Sequence, residues 1–316
     1  MDDMNLQKIS ELIKQVIGED DDERRGVLAD EIMEIDPDNP LAKYIKWQSL
    51  NEDPLRGINL LHDAVALLRP QIEVSDDSDE VDERVYSLYM SMLSDLASFL
   101  YFGGRKDDAL ETARELMELD RDCRGASRMI YYTVLVERKD FTAVMDSADS
   151  DICQTPMGEF CRAIAMFETD GGSRDSLGAL LDAFEADPDL PFYVLELWEI
   201  DDSDIDGDED EDAYIEEMLM TASMLTDLWS ETDERLAFIT AVTFAFGYLT
   251  GRVLDPNDMD MIEETYKGIG CLDKMRETRD VLRAKMASGS DQEEIDEEAI
   301  TALRDAESLG LFGFSE

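Results

Sequence analysis

The 316-residue chain carries 78 acidic against 28 basic residues, a formal net charge of −50. That charge disfavours free nucleic acid and anionic membranes as partners, and a hydrophobic content of 44% argues against wholesale disorder. No run approaches the roughly 18–20 apolar residues that span a bilayer, and the opening MDDMNLQKIS has neither a basic nor an apolar leader region, so the expected location is the cytoplasm.

Taken in order, the chain reads as helix after helix. Asn5 to Ile17 carries a stripe of Leu6, Ile9, Leu12, Ile13 and Val16. A second helix covers Arg24 to Glu34 and stops at Asp36-Pro37-Asp38-Asn39-Pro40, because proline cannot continue a helix but can open the next one. Leu41 to Leu50 and Pro54 to Leu68 make the next pair, with Asp53 as the expected N-cap of the second. Pro70 to Glu80 is then an acidic connection. Val81 and Val85 begin a long helix that leads into a pair flanking the Gly103-Gly104 turn.

Leu93, Leu96, Ala97 and Leu100 line one face before that turn, and Ala109, Leu110, Ala113, Leu116 and Leu119 line one face after it. The small residues among them allow close approach. Neither helix can bury its stripe alone, so the pair needs neighbours on both sides. Arg124 to Val136 and Asp140 to Asp146 follow, then an irregular link over Ala148 to Pro156, then Gly158 to Glu168 and Ser173 to Ala186. Asp187-Pro188-Asp189-Leu190-Pro191 closes that unit, and Phe192 to Glu199 reads as a short helix. After the low-complexity stretch Asp201 to Asp212 come Ala213 to Trp229 and Thr232 to Leu249, then Asp258 to Ile269 with Asp258 as N-cap, Asp273 to Ser288, and Gln292 to Ser308.

From Met90 onward, Leu93, Leu96, Ala97, Leu100, Gly104, Ala109 and Leu116 resemble the tetratricopeptide repeat, and Ala143 stands one repeat length of 34 residues beyond Ala109. The family's closing Asp-Pro is replaced by Asp120-Arg121. The resemblance implies an all-α fold, a right-handed α-solenoid of about six antiparallel helix pairs. It implies a single helical-repeat domain over 1–316, with N-terminal helices over 1–70, central tetratricopeptide-like repeats over 81–200, and C-terminal helices over 213–316 after the acidic loop. A narrower likeness runs from Leu116 to Trp229. There, Asp122-Cys123-Arg124-Gly125-Ala126-Ser127-Arg128, the helix CRAIAMFETDGG, the unit closing Asp187 to Pro191 and the acidic Gly207 to Glu211 resemble the suppressor of tumorigenicity seven-like family. That family also implies helical scaffolding.

Chemistry-bearing patterns are few. Asp202-x-Asp204-x-Asp206-Gly207 matches the opening of an EF-hand loop. Its eighth position is Glu209 and its twelfth is Ala213, so the bidentate carboxylate is missing, and the expected state is an exposed, mobile, metal-free loop. His62 is the only histidine and has no nucleophile or orienting group placed beside it. Cys123, Cys153, Cys161 and Cys271 lack CxxC spacing, which predicts reduced, mostly buried thiols and no structural zinc. Gly103-Gly104 and Gly171-Gly172 read as helix C-caps. Met218, Leu225 and Trp229 recur at helical spacing, with Met220 and Met224 on a neighbouring stripe, and read as core before partner groove.

No assembled catalytic constellation is present and no cofactor is expected. The expected function is a protein–protein interaction scaffold without catalysis. It would bind a polypeptide on the concave face of its repeats. The alternatives are an acidic chaperone or decoy for a basic protein, or a carboxylate-based metal-binding protein. In the frame beginning at Met90 the concave positions hold Ser91, Ser94, Ser98, Tyr101 and Phe102. In the frame beginning at Arg124 they hold Gly125, Arg128, Tyr132, Leu135 and Val136. Ser94, Ser98, Tyr101, Arg128 and Tyr132 are therefore the expected partner-binding residues. The competing reading is that Tyr101 and Tyr132 pack against the next repeat.

Overall fold

The computed structural model describes residues 3–50, 57–73, 83–120, 127–199, 209–253 and 255–305. Among them there are sixteen α-helices and no strand. The chain divides into two compact units, 1–131 and 132–316.

Unit 1 contains α1 (Asp3–Ile17), α2 (Asp22–Ile35), α3 (Pro40–Gln48), α4 (Ile58–Glu73), α5 (Glu83–Phe102), α6 (Lys106–Leu119) and the start of α7 (Ser127–Glu137), within which the division falls. Each helix from α1 to α5 packs on the next. Local chemistry sets the boundaries. The Asp21 side chain accepts from Arg24 N–H to cap α2, and the Asn39 side chain accepts from Ala42 N–H to cap α3, with Pro40 in the first turn. Gly104 has φ 75°, the left-handed conformation that reverses the chain after α5. Ile9, Leu12, Val16, Ala29, Ile32, Ala42 and Ile45 form one apolar cluster shared by α1, α2 and α3. Further along, Arg69 of α4 donates to both oxygens of Glu115 of α6 at 3.1 and 2.6 Å, and Tyr89 of α5 donates to the same carboxylate.

The acidic connection expected from Pro70 begins later. Helix α4 runs through Pro70 to Glu73, although Pro70 leaves the Ala66 carbonyl without its helical donor. Leu68 and Ile72 are buried on either side of the proline, and their packing carries the helix past it. The expected cap Asp53 lies outside the described residues, as do 122–126 of the Asp122 to Arg128 pattern.

Unit 2 contains the rest of α7, then α8 (Phe141–Ser150), α9 (Pro156–Asp170), α10 (Arg174–Ala186), α11 (Leu190–Val194), α12 (Glu209–Trp229), α13 (Asp233–Thr250), α14 (Pro256–Ile269), α15 (Leu272–Ser288) and α16 (Gln292–Arg304). Its packing is more than sequential. Helix α9 meets α12 as well as α8 and α10, and α16 folds back onto α10 and α13. In a strict solenoid each repeat touches only its neighbours, so the α10–α16 contact departs from that pattern. Arg304 seals it, donating to Asp182 at 2.6 Å and to Glu185 at 3.0 Å. Arg252 donates to Asp189 at 2.7 Å and to both oxygens of Asp296.

Several expected boundaries shift. The short helix read as Phe192 to Glu199 is Leu190–Val194. Glu196 has φ 55°, and Leu197 and Trp198 both turn back to donate to the Phe192 carbonyl. Helix α12 begins at Glu209, inside the stretch read as an acidic loop to Asp212. The cap of α14 is Asp255, followed by Pro256, and the expected cap Asp258 is a helix residue that donates its N–H to Asp255. Leu96, Ala97, Ala109, Leu116, Ile130 and Phe184, all read as core, are buried.

Candidate functional site

The site begins with three helices of unit 1. Helix α3 is fixed at its start by the Asn39 cap and Pro40, which sets Tyr44, Trp47 and Gln48 on one side at i, i+3 and i+4. Tyr44 and Trp47 stack with their rings 5.8 Å apart. From α5 come Asp95 and Phe99, also four apart. Phe99 meets Trp47 edge-on at 4.9 Å. From α2 come Asp22 and Arg25, joined at 3.2 Å. Together with Leu50, these residues other than Tyr44 line an open cleft of about 590 Å³. A second cleft of about 570 Å³ adjoins it across Arg25 and Gln48, with Ile13, Val16 and Ile17 on its far side.

Asp95 is the unusual member. It is half-buried, and its carboxylate accepts one hydrogen bond, from the Tyr44 hydroxyl at 2.7 Å. Burial pushes its carboxyl above the usual carboxylate range, and the Tyr44 bond only partly opposes this. The Tyr44 hydroxyl is pushed up as well, first by burial and then by the adjacent Asp95. Asp95 is the only charged residue between Arg84 and Arg105. That isolation within an apolar helix was a signal the sequence reading passed over, together with Trp47 and Phe99.

The expected partner residues divide. Ser94, Ser98 and Tyr101 are half-exposed on α5, beside Asp95 and Phe99. The Ser98 hydroxyl donates to the Ser94 carbonyl at 3.0 Å, so it is directed at its own helix. Tyr101 meets the ring of Phe102 at 5.3 Å, and Phe102 is 70% exposed. Arg128 and Tyr132 are interior and present no surface to a partner. Arg128 is 4% exposed and pairs at 3.3 Å with Asp120, itself 6% exposed. Tyr132, in unit 2, is fully buried, donates to Asp151 at 3.2 Å, and leaves no room for a side chain at Gly158. The groove assignment is corrected at these two positions. The reason is that every residue from Ser127 to Val136 is buried, so α7 has no solvent face on which to carry a concave position.

His62 is exposed on α4. Leu225 and Trp229 are buried, as read, while Met220 is exposed. Cys161 and Cys271 are free and buried, but Cys153 is disulfide-bonded, which corrects the expectation of reduced thiols throughout. Residues 202–207 of the EF-hand-like opening lie outside the described residues, and among the described residues no three His, Cys, Asp or Glu side chains gather as a metal site. No described helix is long and apolar enough to cross a membrane. Unit 2 has a cleft of about 470 Å³ beside Trp198 and Arg252, but the Arg252 guanidinium there is already held by Asp189 and Asp296.

No protein-family model matches the chain, and no curated protein or solved structure matches it either.

Proposed function

We propose that this chain is a protein-interaction scaffold that binds a polypeptide segment and carries out no catalysis. In this reading α1 to α6 pair antiparallel in the tetratricopeptide manner, and the polypeptide lies along α3 and α5. The observation that carries the proposal is the cleft between those helices, walled by Trp47 and Phe99 and continued along α5 by half-exposed Ser94, Ser98 and Tyr101 and exposed Phe102. Aromatic side chains bury large area at low entropic cost and dominate interface energetics.

Random dodecapeptides displayed on phage and selected on the immobilised full chain test this. Selected peptides are expected to bind wild type and to weaken about tenfold or more against Phe99→Ala, with the variant's melting temperature recorded alongside. Peptides that bind Phe99→Ala as well as wild type place the site elsewhere. The net charge of −50 favours a second reading, an acidic chaperone or decoy for a basic protein. That reading expects affinity to collapse with salt regardless of Phe99.

A further inference from the structure

Resting on that reading, we infer that the α3–α5 cleft receives a basic side chain, lysine or arginine, of the bound polypeptide, its charge set against Asp95 and its stem against Trp47 and Phe99.

Three independent features point to a cation. The first is the lack of one. Three described carboxylates are pushed upward by burial: Asp95, Glu159 and Asp187. Glu159 is answered by Arg162 at 3.4 Å, and Asp187 by the backbone N–H groups of Asp189 and Leu190 at 3.1 and 3.0 Å. Among the described residues Asp95 has only the neutral Tyr44 hydroxyl. A half-buried carboxylate without a compensating charge is costly to keep, and the open side of Asp95 faces the cleft.

The second feature is the wall. Trp47 and Phe99 stand edge to face beside Asp95. Aromatic faces attract ammonium and guanidinium groups, and the methylene stems of Lys and Arg pack against them. The third is the field. Asp22 also lines the cleft, and the one cation lining it among the described residues, Arg25, is engaged by Asp22 at 3.2 Å. Glu19 and Asp20 line the adjoining cleft, and Asp21 and Glu23 flank Asp22 in the chain. An anionic side chain would meet repulsion there, and a neutral one would leave Asp95 unanswered.

The dodecapeptide selection supplies the test when run on wild type, Asp95→Asn and Asp38→Asn. Asp95→Asn keeps the size of the side chain and its acceptor for Tyr44 while removing the charge. Asp38 is exposed and outside the cleft, so Asp38→Asn reports the effect of one lost charge on general attraction. Selected peptides are expected to share a Lys or Arg flanked by apolar residues, and to weaken about tenfold or more against Asp95→Asn but not against Asp38→Asn. Replacing that basic residue with norleucine should produce the same loss on wild type and none on Asp95→Asn. Peptides that depend on Phe99 yet share no basic residue, or ignore Asp95→Asn, overturn this inference and leave the scaffold reading standing. A selection that yields no peptide above background overturns both.

Discussion

Arg235 of α13 reaches back to Glu168 of α9, Nε to carboxylate at 2.5 Å, with none of its own side chain exposed. Its Nη1 also donates to the Leu228 carbonyl at 2.9 Å and to Glu231 at 2.7 Å, so one guanidinium joins α9, the end of α12 and α13. Removing it strands the Leu228 carbonyl and leaves Glu168 without its cation. Arg235→Ala is expected to lower stability by about 3–5 kcal/mol. Arg235→Met, which keeps most of the volume, should lose clearly less. Urea midpoints at constant slope would measure both. Equal losses would mean that cavity and charge do not separate here.

Asp95 gives stability an unusual pH dependence. Its carboxyl is raised by burial, so the folded chain holds that proton more tightly than the unfolded chain. This contribution is complete below the ordinary carboxylate value of about 4 and disappears as pH rises through the raised value. At neutral pH the ionised group opposes folding. Asp95→Asn should therefore melt above wild type at pH 7, with the gap narrowing as pH falls toward about 4. Binding of a basic peptide should run the other way, weakening as pH falls and Asp95 takes up its proton. Asp22 and Arg25 share the cleft with Asp95, and Tyr44 donates to its carboxylate from beside it; Asp95→Asn separates their effect from that of Asp95.

Tyr132→Ala and Arg128→Ala are expected to unfold structure before they touch any partner. The Tyr132 ring is fully buried, and deleting a buried aromatic side chain costs about 3–5 kcal/mol. Arg128→Ala leaves the buried Asp120 without its guanidinium, a loss of similar size. Thermal melts of the two variants check this. Parental melting would return both residues to candidacy as surface positions.

Gly247 sits inside α13, where exchanging glycine for alanine ordinarily stabilises a helix by about 0.5–1 kcal/mol. Here a Cβ would come within 2.7 Å of Val253 and 2.9 Å of Phe192. Overpacking of that kind costs about 1–3 kcal/mol and outweighs the propensity gain. Gly247→Ala should therefore lower the melting temperature. Gly178 of α10, with open space around it, should show the ordinary gain on the same substitution.

Helix positions were legible because caps and punctuation are local. Asn39-Pro40, Asp140 and Ser173 each announce a helix within a few residues, and each side chain accepts a first-turn N–H. The stripes of α5 and α6 were legible for the same reason. Arg128 and Tyr132 were misplaced because 127–136 of α7 are buried on all sides, and a helix without a solvent face has no register that separates groove from core. Asp95 was visible as an isolated charge, but its partner Tyr44 lies 51 positions earlier. No local pattern links the two. The meeting of Arg304 with Asp182 spans 122 positions and was equally out of reach.

That long reach has a consequence for how the chain comes into being. At ordinary synthesis rates the ribosome needs on the order of ten seconds to pass from the end of α10 to the end of α16. Throughout that interval the side of α10 that α16 will cover stays open, with Asp182 and Glu185 waiting for Arg304. Unit 1, whose helices α1 to α6 each pack on the next, can settle turn by turn as it emerges. Unit 2 cannot bury that side of α10 until α16 is made.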